Sequence, residues 1–290
     1  MNRELSIGIL GGGQLGMMLC QASKEIGINT HIYCPDEDSP AKHYSNEFTC
    51  KDYLNKKEII NFSNSVDIIT YEFENIPKET LELINYNKLR PGVKSLEQTQ
   101  DRLIERKLLE KLNIPYAPYK ELNDEEDFNY SISNFGDAII KTRRFGYDGK
   151  GQYKIETADE LNNLKPDFNN EFILEKIINL KKEISVIITR FKSHTYEIYE
   201  PIENIHKDQI LKFSEIPAKI NNNILNLSSE WAKKISEELD YVMSVYWHLF
   251  GSESDKDLKG LAEKIAPMGS KFQNDILLNS KPVSYTHLTL

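Results

Sequence analysis

The segment LSIGIL (5–10) is apolar but for Ser6 and runs without a break into GGGQLG (11–16). A short apolar run that ends in glycines and passes into a helical pattern leaves few folds open. It predicts a buried parallel strand, a tight turn and a helix that packs back over the strand. On that helix Leu15, Met18, Leu19, Ala22 and Ile26 fall on one face, and Gly27 stands where a C-cap belongs. NTHIYC (29–34) is the second strand, ended by Pro35 and Asp36. VDIITYE (66–72) is another, followed by a helix from about Pro77 and a short strand and turn at KLRPG. Strand and helix repeating at this spacing predict an α/β fold, a doubly wound parallel sheet over residues 1–94.

The grammar then changes. Ser95-Leu96-Glu97-Gln98 has the form of a capping box and predicts a charged helix to about Leu112, followed by the proline-bounded connector NIPYAPY. DAIIKT (137–142), GQYKIE (151–156), EFILEKII (171–178), EISVIIT (183–189) and HTYEIYEP (194–201) predict strands, with TADELNNL a short helix among them. These make an antiparallel α+β domain over 95–242. Residues 221–226 are Asn-rich, and 243–290 have no clean period, so the tail is set apart as atypical and the second domain as incomplete at its C-terminal end.

With 36 Lys and Arg against 45 Asp and Glu, the net charge is −9. A chain that lives by phosphate-backbone contacts carries a basic excess, so nucleic acid is excluded as main partner. Cys20, Cys34 and Cys50 show neither CxxC spacing nor a histidine cluster, which argues reduced thiols in the cytoplasm. No apolar run approaches the roughly 20 residues of a membrane helix. The glycines of the N-terminal segment fit a strand and turn better than a signal peptide.

Gly11, Gly13 and Gly16 match the GxGxxG spacing, and Asp36 ends the next strand, so an NAD-dependent oxidoreductase is one reading. A phosphate-bearing substrate at the same turn is the other. Glu72 and Glu74 stand two apart at a strand's C-terminal end, where a doubly wound sheet binds ligands. The stretch KTRRFGYDGKGQ (141–152) sets Lys141 on a strand end, then Arg143 and Arg144, then Gly146, Gly149 and Gly151. A glycine-rich hairpin lays its N–H groups over phosphates while a strand-borne lysine meets them as a point charge. Asp148 is the one acid within it. Glu175 and Lys176 suit a hinge strand that pairs with an adenine edge, Glu183 is a nearby carboxylate, and His206 and Lys207 lie in a polar loop.

In order, GGGQLG, EFEN, QDRLIERKLLEKLNIP, IIKTRRFGYDGKGQ, FILEKII, KKEISVI, ENIHKDQIL and IPAKI resemble the N5-carboxyaminoimidazole ribonucleotide synthases, ATP-grasp ligases of purine biosynthesis, from about Leu5 to Val242. The resemblance implies a pre-ATP-grasp domain, an ATP-grasp domain and ATP-dependent carboxylation of 5-aminoimidazole ribonucleotide by bicarbonate, with ATP and Mg2+ as cofactors and a homodimer as the assembly. It implies ATP phosphates on Arg102 and Lys141, and a loop of Gly146, Tyr147, Asp148, Gly149, Lys150, Gly151 and Gln152 over the nucleotide. Glu175, Lys176, Ile177 and Ile178 become the adenine hinge, with Glu183 at the ribose and His206 in the nucleotide site. Gly13, Gln14, Leu15, Glu72 and Glu74 face the ribonucleotide, and Asp148 and Lys150 are the catalytic groups. In the tail, His248 stands near an expected carboxylate, and Glu263-Lys264 replaces an expected Asn-Glu, so no metal ligand is assigned, Glu253 included. The alternative is a catalytically impaired nucleotide-binding member of the same family.

Overall fold

The computed structural model describes residues 5–145, 151–155, 171–191, 195–207 and 210–241. These form two compact units. The first draws on 5–105, 189–191, 195–196 and 234–241, and the second on 106–145, 151–155, 171–188, 197–207 and 210–233.

The first unit is built on a parallel sheet of order β3-β2-β1-β4, from β1 Ser6–Leu10, β2 Asn29–Cys34, β3 Glu47–Cys50 and β4 Ile68–Tyr71. Helix α1 Gln14–Glu25 and helix α2 Lys56–Ser65 supply its cover. Ile7, Ile9, Ile32 and Cys34 pack in one core with Cys20 of α1, while Leu10, Tyr33 and Ile69 pack in another with Ile59 and Phe62 of α2. Burial on both faces removes any need for polar alternation, which is why Ile7 to Leu10 are without a polar side chain. The expected doubly wound sheet is present. The expected strand at KLRPG is only a single bridge, Ile69 to Leu89.

The face of α1 differs from the expected one. Its buried residues are Gly16, Cys20 and Ser23, whereas Leu19 and Ile26 are exposed. The helix lies so close to the turn that a Cβ on Gly16 would stand 2.8 Å from the Gly11 carbonyl oxygen. At that separation only small side chains fit inward, and the larger apolar residues are turned out. Gly27 ends the helix as expected, with φ +75° and its N–H on the Lys24 carbonyl.

Helices α3 Lys78–Glu82, α4 Val93–Thr99 and α5 Arg102–Lys111 follow. The single charged helix expected from Ser95 is therefore two. Ser95 lies buried inside α4. The cap belongs to Asp101, whose Oδ1 accepts from Leu103 N at 2.9 Å and Ile104 N at 3.4 Å, starting α5 anew.

In the second unit an antiparallel sheet has the order β5-β8-β6-β7, from β5 Tyr119–Leu122, β6 Ala138–Thr142, β7 Gln152–Ile155 and β8 Phe172–Lys176. Helix α6 Glu125–Phe135 adjoins it, and Leu122, Ala138, Ile140, Ile155, Phe172 and Leu174 form its core. The strand expected over 183–189 is divided into β9 Glu183–Ser185 and β10 Ile188–Arg190, and β10 pairs with β11 Tyr196–Ile198. The polar loop expected around His206 is instead a hairpin of β12 Ile202–Lys207 and β13 Ile210–Glu215, in a three-stranded sheet with β9. Asn221 caps α7 Asn222–Glu238 by accepting from Ile224 N at 3.0 Å, which gives the Asn-rich tract its place. The helix expected at TADELNNL and the tail, with His248, Glu253 and Glu263, lie outside the described residues. No described helix is long and apolar enough to cross a membrane.

Gly16→Ala should lower stability by about 1–3 kcal/mol, the size of an overpacking change against backbone. Chemical denaturation reads it, and an unchanged midpoint would mean that α1 can move outward without loss.

Candidate active site

At the C-terminal edge of the parallel sheet the glycine turn is held from several sides. Gly11 has φ +114° and donates its N–H to Tyr33 O at 3.0 Å, and a Cβ there would stand 2.5 Å from Glu72 Oε1. Both the backbone angle and the space require glycine. Ser39 Oγ and Ala41 N donate to the Gly12 carbonyl at 2.7 and 3.1 Å. Glu72 follows β4, donates its own N–H to Leu10 O at 3.1 Å, and accepts the Gly13 N–H through Oε1 at 2.9 Å. Burial pushes the Glu72 carboxyl above the usual carboxylate range, and the Gly13 N–H opposes this only in part.

The structure separates Glu72 from Glu74. The strand ends at Tyr71, so the two-residue alternation that would align them no longer applies. Glu72 reaches the glycine turn, while Glu74 lies in the next turn and its carbonyl accepts from Gln100 Nε2 at 2.7 Å. Gln14 and Leu15 open α1, the first exposed and the second half-buried. Asp36 is exposed, and its Oδ1 accepts from Asp38 N at 3.0 Å. A dinucleotide turn offers its N–H groups to a pyrophosphate; here the Gly13 N–H is already taken by a carboxylate, which weighs against the NAD reading.

In the second unit the site centres on a buried carboxylate. Glu175 of β8 accepts from Arg106 Nε at 2.7 Å through Oε1 and from Lys141 Nζ at 2.5 Å through Oε2. The β6–β8 register sets Lys141 opposite Ile173 and Ile139 opposite Glu175, which brings the two side chains into reach. Burial alone would push Glu175 up, but the Lys141 and Arg106 cations together outweigh it and hold the carboxyl below its usual range. Arg143 is paired with Glu121 at 2.9 Å, and the Arg144 guanidinium lies 5.6 Å from the centre of the Phe145 ring. Within the stretch, Lys141 and Arg143 are thus each matched by a glutamate of the same unit.

Gln152 opens β7 opposite Lys141, and Gly151 has φ +71° with its carbonyl accepting from Thr142 N at 2.9 Å. Arg102 opens α5. The N–H groups of Lys176 and Ile177 are bonded to Pro118 O at 2.8 Å and Asp137 O at 3.0 Å, and Ile178 beyond them is exposed. Glu183 of β9 and His206 of β12 meet at 3.3 Å between Oε2 and Nδ1. Gly146, Tyr147, Asp148, Gly149 and Lys150 lie outside the described residues. Among the described residues no group of three or more His, Cys, Asp or Glu is placed to hold a metal ion. Arg106 was not singled out in the sequence; the signal available was its place four residues after Arg102, on the same helix face.

Residues 5–100 match the ribonucleotide synthetase preATP-grasp domain, and residues 107–267 the ATP-grasp domain. The N5-carboxyaminoimidazole ribonucleotide synthase of Brucella melitensis is 36% identical over 242 residues, covering 82% of this chain and 67% of that one. The chain belongs to the N5-carboxyaminoimidazole ribonucleotide synthase family. The synthase of Staphylococcus aureus is 33% identical over 241 residues, covering 82% of this chain and 64% of that one. A solved structure of the Staphylococcus aureus protein complexed with ADP is 32% identical, with TM-score 0.75 and coverage of 82% and 64%. The chain therefore spans about two thirds of the length of these relatives. The expected pairing of a pre-ATP-grasp sheet with an antiparallel ATP-grasp domain is borne out.

The raised pKa of Glu72 makes a signed prediction. A carboxyl held above its unfolded value contributes most at low pH, and that contribution is lost as pH rises through the folded pKa. The stability of wild type relative to Glu72→Gln should therefore fall as pH rises above the unfolded carboxylate value of about 4.3. Denaturation midpoints at and above that pH test it, and a difference that grew with pH would contradict the assigned environment.

Proposed function

We propose that the chain carries out ATP-dependent carboxylation of 5-aminoimidazole ribonucleotide with bicarbonate. The γ-phosphoryl group of ATP passes to a bicarbonate oxygen, releasing ADP and forming carboxyphosphate. The exocyclic amine of the ribonucleotide then attacks the carboxyl carbon, phosphate leaves, and the nitrogen loses a proton. The observation that carries this reading is the 36% identity to a synthase of this name over 242 residues. The ADP complex of the Staphylococcus aureus relative supports an adenine nucleotide as ligand.

In this reading Lys141 and Arg102 meet the nucleotide phosphates, and Gly146 to Gln152 cover them. The N–H groups of Lys176 and Ile177 are bonded within the protein, and the exposed Ile178 beyond them lies toward an adenine edge. Glu183 and His206, already in contact, take the ribose side. Glu72 has Oε1 on the glycine turn and Oε2 for a hydroxyl or amine of the ribonucleotide, a role for which acceptor capacity matters more than charge. Gly13, Gln14 and Leu15 adjoin that position, and Asp148 and Lys150 serve as catalytic groups. The family resemblance also supports magnesium, a homodimer and a cytoplasmic setting. The described residues hold no group of three or more His, Cys, Asp or Glu placed for that metal.

ADP release by the full chain should require bicarbonate and aminoimidazole ribonucleotide together, with magnesium present. Release without the ribonucleotide would refute the carboxylation, and ADP binding with no release at all would favour the nucleotide-binding reading. Lys141→Ala should weaken ADP binding by about 1.5–3 kcal/mol, roughly 10- to 100-fold, as the loss of a charge-assisted phosphate contact. Calorimetry reads the change, and unaltered affinity in the folded variant would remove Lys141 from the site.

A further inference from the structure

Arg106, Glu175 and Lys141 form a cluster of two cations and one carboxylate. The side chains of Arg106 and Glu175 are only 5% and 4% exposed, and that of Lys141 is 15% exposed. Each carboxylate oxygen serves one cation: Oε1 takes Arg106 at 2.7 Å and Oε2 takes Lys141 at 2.5 Å. The cluster therefore carries a net charge of +1, and the member nearest solvent is Lys141. Arg106 is held in place by α5, whose Leu103, Leu108 and Leu109 are buried. Without Arg106, Glu175 and Lys141 would form a neutral pair, and the ammonium would have little charge to offer an anion.

We propose that Arg106 is a positioning residue for nucleotide binding, satisfying the charge of Glu175 so that Lys141 keeps a net positive charge for a polyphosphate. This rests on the proposed function, in which Lys141 meets the nucleotide phosphates. Arg106 itself touches no ligand; it acts through the buried carboxylate.

The test is ADP binding to the full chain by calorimetry, for wild type, Arg106→Met, Arg106→Lys and the double variant Arg106→Met with Glu175→Gln. Arg106→Met should bind ADP roughly tenfold or more weakly, the size of one lost charge-assisted contact. Arg106→Lys keeps the charge and should stay within about threefold of wild type. Glu175 serves the hinge through its backbone, which Glu175→Gln leaves in place; the double variant removes both the guanidinium and the carboxylate charge, so Lys141 is again unneutralised and ADP should bind at least about threefold more tightly than to Arg106→Met. A merely structural role for Arg106 predicts no such recovery. Wild-type affinity in Arg106→Met, or a double variant as weak as the single one, overturns the proposal while leaving the nucleotide site intact. Failure of wild type itself to bind ADP overturns the nucleotide reading and this proposal with it. Arg106→Met leaves an under-compensated buried carboxylate, and where it fails to fold the double variant becomes the deciding comparison. Tenfold weaker binding there overturns the proposal.

Discussion

A carboxylate buried between two cations is the interaction on which the second unit turns. Glu175 joins β8 to β6 through Lys141 and to α5 through Arg106, so one side chain fixes a helix against the sheet it adjoins. Buried charge is expensive, and a buried ion pair often adds less stability than an apolar replacement would. Geometry is what such a group contributes, because the carboxylate has few other positions in which both oxygens are satisfied. Its folded pKa is depressed, so its contribution is present above the unfolded value of about 4.3 and is lost as pH falls through the folded one.

Glu72 shows the same residue type under the opposite influence. It is buried beside a glycine turn with one backbone N–H to meet it, and its carboxyl is pushed upward. One chain thus holds two buried glutamates, one kept ionised by its neighbours and one drawn toward neutrality by desolvation. Glu72 sits just past the end of β4, and Glu175 is the penultimate residue of β8, still paired on both sides.

Much of this was legible in the sequence because the parallel sheet leaves a strong pattern. The apolar runs gave β1, β2 and β4, and glycine gave the turn and the end of α1. The failures came where two local signals competed. Ser95 offered a cap, yet Asp101 offered a better one six residues later, and one helix became two. His206 stood among polar residues that looked like a loop, yet their alternation belongs to a strand with one face half exposed. Glu72 and Glu74 looked like a pair because the strand was drawn one residue too long. Arg106 was hidden for a different reason. Its importance comes from Glu175, 69 residues away, and no spacing in the chain announces that contact.

The close approach of α1 to the glycine turn has a mechanical meaning. Where side chains interdigitate, the gap between a helix and its support is set by their volumes, and it drifts as those residues are exchanged. At Gly16 the spacing is set by one backbone meeting another, with room for nothing larger than hydrogen. A backbone does not change size when the sequence drifts. The turn is therefore referenced to the sheet by a fixed stop, and core substitutions elsewhere can accumulate without carrying it out of alignment. The outward-facing Leu19 and Ile26, which bear on no such stop, are correspondingly free to vary.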